Sequence, residues 1–140
     1  MNNLIFKLNC NPPTATAQMK KVSVVNGMPR FYEPKQVKEA KQLLMNLLSE
    51  HAPQEKFDGA IKLSVTWCFP RNKTHKHKEY RITKPDTDNL EKLLKDCMTQ
   101  VGFWNDDAQV VIERCCKVWV NNEDAGIVID IQRLPKFMEV

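Results

Sequence analysis

At 140 residues, with 42% hydrophobic and 27% charged side chains, the chain can bury one sizeable core, which points to a single domain over residues 1–140. A net charge of +4 is too mild as a total to define a partner. No apolar run approaches the length of about 20 residues that crosses a bilayer, and the N-terminus lacks the basic-then-apolar pattern of a signal peptide. These features imply a cytoplasmic protein with no membrane partner. The five cysteines (Cys10, Cys68, Cys97, Cys115, Cys116) are odd in number and lack CxxC spacing, as reduced thiols do.

In chain order, Leu4–Leu8 reads as a short strand that stops before Pro12-Pro13. "KVSVV-NG-MPRFY" reads as two strands around Asn26-Gly27, the pair that a tight hairpin turn prefers. Pro34 opens a helix whose apolar stripe is Val37, Ala40, Leu44, Leu47 and Leu48, and Pro53 marks its end. "IKLSVTWCF" alternates strictly, placing Ile61, Leu63, Val65, Trp67 and Phe69 on one buried face. Between Arg71 and Lys84 lie six Lys/Arg and two His against one Glu, either a solvated loop or a phosphate-binding stretch. Leu90, Leu93, Leu94, Cys97, Met98 and Val101 recur at helical intervals, and Gly102 is a natural stop. "VVIERCCKVWV" and "GIVIDIQRL" read as two more strands joined by a polar turn at Asn121–Asp124. The pattern implies an α+β fold, a largely antiparallel or mixed sheet with two main helices packed on it.

"KPDTDNLEK", residues 84–92, sets two aspartates one residue apart behind a proline. Asp88 with Glu91 matches a capping box, and Asp88 with Lys92 an i, i+4 ion pair. Both leave Asp86 without a role. If the chain is extended through Asp86-Thr87-Asp88, the two carboxylates project from one side and repel unless a cation lies between them. Oxygen-only ligands select a hard ion such as Mg²⁺ or Mn²⁺, and Lys92, one turn on, faces solvent on the same side as Asp88. Asp106 and Asp107 follow in "FWNDDAQVV"; two adjacent acids there make a turn, and a returning chain would bring Asp107 to the first pair.

The segment "KPDTDNLEKLLKDCMTQVGFWNDDAQVV", Lys84 to Val111, resembles the RusA family of Holliday-junction endonucleases, in which a D-x-D-N-L-x-K helix entrance precedes a G-F/L-W-x-D-D-x-Q-V segment and a strand. The resemblance implies catalytic acids at Asp86, Asp88 and Asp107, which would hold Mg²⁺ (Mn²⁺ as a substitute), and an essential lysine at Lys92. It implies a homodimer that cuts four-way junction DNA on two symmetry-related strands in recombination and repair, with no nucleotide cofactor. Candidate DNA-binding residues are Thr14, Thr16 and Lys20 after the Pro-Pro, Lys73, Lys76 and Arg81 in the basic stretch, and Lys84 and Asn89 at the helix entrance. The basic residues lie upstream of the first acid instead of abutting it as in many family members, which bears on sequence preference at the cut. Two rival readings remain at this level: a DNA-binding protein without catalysis, and a thiol or zinc protein built on Cys115-Cys116.

Overall fold

The alternating segment becomes the central strand. In the computed structural model, which describes residues 2–16 and 21–139, eight elements run in the order β1 (Asn3–Leu8), β2 (Lys21–Val25), β3 (Met28–Tyr32), α1 (Lys35–Ser49), β4 (Ile61–Pro70), α2 (Thr87–Val101), β5 (Val110–Val120) and β6 (Gly126–Arg133). Strands β1, β6, β4 and β5 form one sheet in that spatial order, and β2 and β3 form a separate hairpin. Its turn residues Asn26 and Gly27 take φ values of 52° and 75°, the left-handed pair that a two-residue turn requires.

Both helices lie on one face of the sheet. Ile61, Leu63, Val65 and Trp67 of β4 and Ile127, Ile129 and Ile131 of β6 are fully buried against Leu44 and Leu48 of α1 and Leu90, Leu93, Leu94 and Met98 of α2. Each such side chain contributes about 1.5–3 kcal/mol, so this layer outweighs any cap or surface ion pair worth tenths. The α+β expectation is met, with two differences in pairing. Strands β5 and β6, consecutive in sequence, do not form a hairpin, because β4 lies between them. Strand β4 pairs with β5 in parallel, Val65 opposite Cys115 and Trp67 opposite Lys117, whereas β1–β6 and β4–β6 are antiparallel.

Parallel neighbours need a crossover connection, and here α2 supplies it. With α2 on the helical face, the odd-numbered residues of β5 (Glu113, Cys115, Lys117, Trp119) point towards the crossover. No helix among the described residues is long and apolar enough to cross a membrane.

Candidate active site

The entrance to α2 is held from outside the helix. Lys117 Nζ donates to the carbonyls of Thr83 and Pro85 at 2.8 and 2.7 Å. Arg81 donates from Nε and Nη2 to the carbonyl of Lys84 at 3.1 and 2.5 Å, with its guanidinium over the rings of Phe69 and Trp119 at 4.3 and 4.5 Å. Three successive carbonyls ahead of Asp86 are thereby bound by cationic donors. Backbone hydrogen bonds tie the same loop to β5: Lys78 N to Trp119 O at 2.7 Å, Trp119 N to Glu79 O at 2.7 Å and Arg81 N to Lys117 O at 3.0 Å. The basic stretch is therefore an ordered strip along the edge of β5, and the Arg81 guanidinium serves the fold there.

Asp86 is the N-cap residue in an extended conformation, and its side chain makes no capping hydrogen bond. Its exposed carboxylate is left free. The helix begins at Thr87, so Asp86 and Asp88 are not two residues of one extended run. The expected capping box is absent: Asp88 accepts from the Asn89 backbone N–H at 3.0 Å, and Glu91 turns inward. The expected Asp88–Lys92 pair is replaced by Lys92 Nζ at 4.0 Å from Asp96, a contact of tenths of a kcal/mol on an exposed helix face.

At the far end of the crossover the GFWNDDAQ segment divides its labour. Gly102 ends α2 at φ 105°, and Phe103 and Trp104 are fully buried. Trp104 Nε1 donates to Thr99 Oγ1 at 2.7 Å. Asp106 accepts from Ala108 N at 2.9 Å. Gln109 Oε1 accepts from the backbone of Asn105 and Asp106 at 3.0 and 3.2 Å, while its Nε2 donates to Phe57 O and Gly59 O, each at 3.0 Å. Asp106 is thus a cap, and Asp107 is the member of the pair that lines the groove between α2 and β5.

That groove, about 520 Å³ in volume, is lined by Thr87, Asp88, Glu91, Lys92, Lys95, Asp107, Glu113 and Cys115. It brings together Asp88, Lys92 and Asp107; Asp86 lies off it, at the helix entrance. Helix α2 runs antiparallel to β5, as the Lys95–Glu113 pair at 3.1 Å and the bonding of Glu91 to Cys115 show. Asp88 and Asp107 therefore lie on opposite sides of the Lys95–Glu113 pair. Among the described residues no three Asp, Glu, His or Cys side chains stand close enough together to hold a metal ion. The donors nonetheless fit a hard divalent cation in kind: carboxylate oxygens on a water-accessible groove. Mg²⁺ commonly takes only one or two carboxylates and completes its shell with water and substrate phosphate.

Glu91 is 4% exposed. Its Oε1 accepts from Trp67 Nε1 at 3.1 Å, its Oε2 is buried, and the carboxyl lies beside Glu113 and Cys115. Burial, reinforced by hydrogen bonding to Glu113, pushes its carboxyl up to about 7. Burial and the neighbouring Glu91 carboxylate raise the Cys115 thiol as well, which makes it a poor thiolate; all five cysteines are free.

Of the remaining candidates, Lys73, Lys76, Lys84 and Thr14 are exposed and Asn89 is half-buried. Thr16 is only 4% exposed, so a phosphate does not reach it in this arrangement. Lys20 lies outside the described residues. A second basin of about 510 Å³ beside the basic strip is lined by Arg71, Asn72, Lys73 and Asn121–Glu123.

Comparison with known proteins gives this geometry its context. The family model described as Endodeoxyribonuclease RusA matches residues 11–132. The chain is 30% identical over 128 residues to the crossover junction endodeoxyribonuclease rusA of Lactococcus phage r1t, covering 90% of this chain and 95% of that one. It is 27% identical over 118 residues to the uncharacterized protein YqaN of Bacillus subtilis (strain 168), covering 76% and 82%. The chain belongs to the RusA endodeoxyribonuclease family.

Three residues of the groove and its entrance are not announced by any local sequence pattern: Lys117, Glu113 and Glu91. Lys117 and Glu113 act across the crossover, and no local pattern announces which face of β5 they take. Glu91 carries only a weak signal, since on the helical wheel it falls next to Met98, just past the edge of the apolar arc.

Lys117→Met should cost about 1–3 kcal/mol in urea unfolding, because two carbonyls lose a charged donor and one of them is partly buried. An unchanged midpoint would show that the entrance holds itself. The Glu91 carboxyl keeps its proton to about 7 in the folded chain and to about 4.5 when unfolded. The folded state therefore binds more protons between those values, and stability falls as pH rises through them, by at most about 1.4 kcal/mol per pH unit. Glu91→Gln should flatten that part of the urea-unfolding profile; a slope equal to that of the wild type would assign it to other groups.

Proposed function

We propose that this chain is a single-domain, divalent-metal-dependent endonuclease that resolves four-way DNA junctions by paired nicks in recombination and repair, working as a homodimer in the cytoplasm. The observation that carries the reading is the entrance of α2, where the Asp86 carboxylate makes no capping hydrogen bond, two residues before Asp88 on a groove that Lys92 and Asp107 also line. An aspartate at a helix start ordinarily caps it for about 1 kcal/mol; here Asp86 makes no such bond.

In this reading Asp86, Asp88 and Asp107 hold Mg²⁺, or Mn²⁺ in its place. A divalent cation bound there supplies charge neutralisation at the scissile phosphate and a more acidic water as nucleophile. The Lys92 ammonium, whose one ion pair among the described residues is a weak contact with Asp96, is free to swing to the phosphate and stabilise the charge that develops there. Exposed Lys73, Lys76 and Lys84 bind backbone phosphates further along the arms, with Thr14 and Asn89 as neutral donors. Each chain contributes one acid cluster, and a resolved junction needs two cuts related by symmetry, which a two-fold dimer provides.

Single-turnover cleavage of a synthetic four-way junction tests the assignment. Asp86→Asn and Asp107→Asn should each abolish cutting in Mg²⁺ while junction binding is retained or strengthened, since a charge that repels phosphate is lost. Lys92→Ala should fold, bind and cut about 100-fold or more slowly, and Lys92→Arg should not restore the rate, because a planar guanidinium does not reproduce a compact ammonium. A near wild-type rate for either aspartate variant removes that residue from the metal-holding set. A Lys92→Ala rate within a few-fold of wild type returns the lysine to a surface role.

A further inference from the structure

We propose that Tyr80 and Ile82 are a contact with nucleobases: an apolar pair that rests against bases unstacked beside the branch point and so favours a junction over continuous duplex. This rests on the reading of the chain as a junction-cutting nuclease. The two side chains are 72% and 92% exposed, and Ile82 is the most exposed large hydrophobic side chain among the described residues. Tyr80 pairs with Val118 on the edge of β5. Arg81, between them, turns its guanidinium inward onto Phe69 and Trp119. Alternation along an extended segment sends Tyr80 and Ile82 the other way, and Tyr80 there shares a basin with Lys78 and Arg114.

Ile82 is held on both sides by one residue. The Arg81 N–H ahead of it donates to Lys117 O at 3.0 Å, and the Thr83 carbonyl behind it accepts from Lys117 Nζ at 2.8 Å. A side chain branched at Cβ is stiff at χ1; this one is carried on a pinned backbone, yet it adds nothing to the core. Isolated exposed apolar side chains are ordinary; the surroundings set this pair apart. Its strip carries six Lys/Arg and two His against one Glu, and that acid, Glu79, is bonded to His75. Lys78 and Lys84, on either side of the pair, are exposed. A partner drawn to this charge is polyanionic, and the apolar surface of a nucleic acid is the face of its bases. The same charge repels a second copy of the strip. Phosphate contacts hold any DNA alike, whereas an apolar wedge is used only where bases come apart, which costs least where stacking is already interrupted. A branch point is such a place.

The test uses the full chain in EDTA, a synthetic four-way junction carrying 2-aminopurine beside the branch point, and a linear duplex as competitor. Wild-type protein should raise the 2-aminopurine fluorescence as it binds and should prefer the junction. The double variant Tyr80→Ser, Ile82→Ser should fold, since both side chains are exposed. It should lose the fluorescence rise and lower the ratio of duplex to junction dissociation constants about tenfold or more. A folded double variant that keeps both the rise and the wild-type ratio overturns the pair's role and leaves the nuclease reading standing. Wild-type protein with no preference for the junction overturns both. A wild-type dimer that becomes a monomer in the double variant, read by sedimentation, assigns the pair to a protein interface and overturns the proposal. A measurement on the wild type covers the case in which the double variant does not fold: ultraviolet crosslinking to 5-iodouracil beside the branch point should map to Tyr80. Crosslinks that map elsewhere and never to Tyr80 overturn the proposal.

Discussion

The parallel pairing of β4 with β5 is the constraint from which the site follows. Two parallel neighbours cannot be joined by a tight turn, so the chain must leave the top of β4, return along the sheet and re-enter at the bottom of β5. Helix α2 is that return, held down by Leu90, Leu93, Leu94 and Met98, all fully buried. Its two ends are where the connection changes direction, and each carries an acidic pair. Asp86 and Asp88 stand at the way in, Asp106 and Asp107 at the way out. Because the helix packs along β5, the alternate residues of that strand complete the wall of the groove and the clamp on the entrance.

The same geometry explains a division of roles within each pair. At the exit, Asp106 satisfies backbone N–H groups and so releases Asp107. At the entrance, Lys117 and Arg81 hold the carbonyls ahead of the helix, Asp86 makes no capping hydrogen bond, and Asp88 accepts a local N–H. That leaves carboxylates with oxygen to spare on a chain whose overall charge is positive, a combination suited to holding a cation beside polyanionic DNA.

Much of this was legible in the sequence, for identifiable reasons. Strict alternation in Ile61–Phe69 fixed both the strand and its buried face, and the helical spacing from Leu90 to Val101 fixed the helix and its seam. The Asn26-Gly27 turn and the Gly102 stop are backbone requirements that few other residues meet. Strand order was less legible: Asn121–Asp124 looks like a hairpin turn, and only the tertiary competition for the edges of β4 separates β5 from β6. The fates of Arg81, Thr16 and Glu91 were hidden for a similar reason. A run of basic residues looks like a solvated strip until Phe69 and Trp119 enclose one guanidinium. A glutamate beside a lysine likewise looks exposed until the helix turns it onto Trp67.

In the proposed reading, carboxylates at the two ends of the crossover make this chain a metal-dependent junction-cutting nuclease. Its most direct test is the wild-type protein on an end-labelled synthetic four-way junction, once in Mg²⁺ and once in EDTA. Paired, symmetry-related nicks are expected in Mg²⁺, and intact, protein-bound junction in EDTA. An uncut junction in Mg²⁺ despite binding by folded protein, or cutting that persists in EDTA, would contradict it.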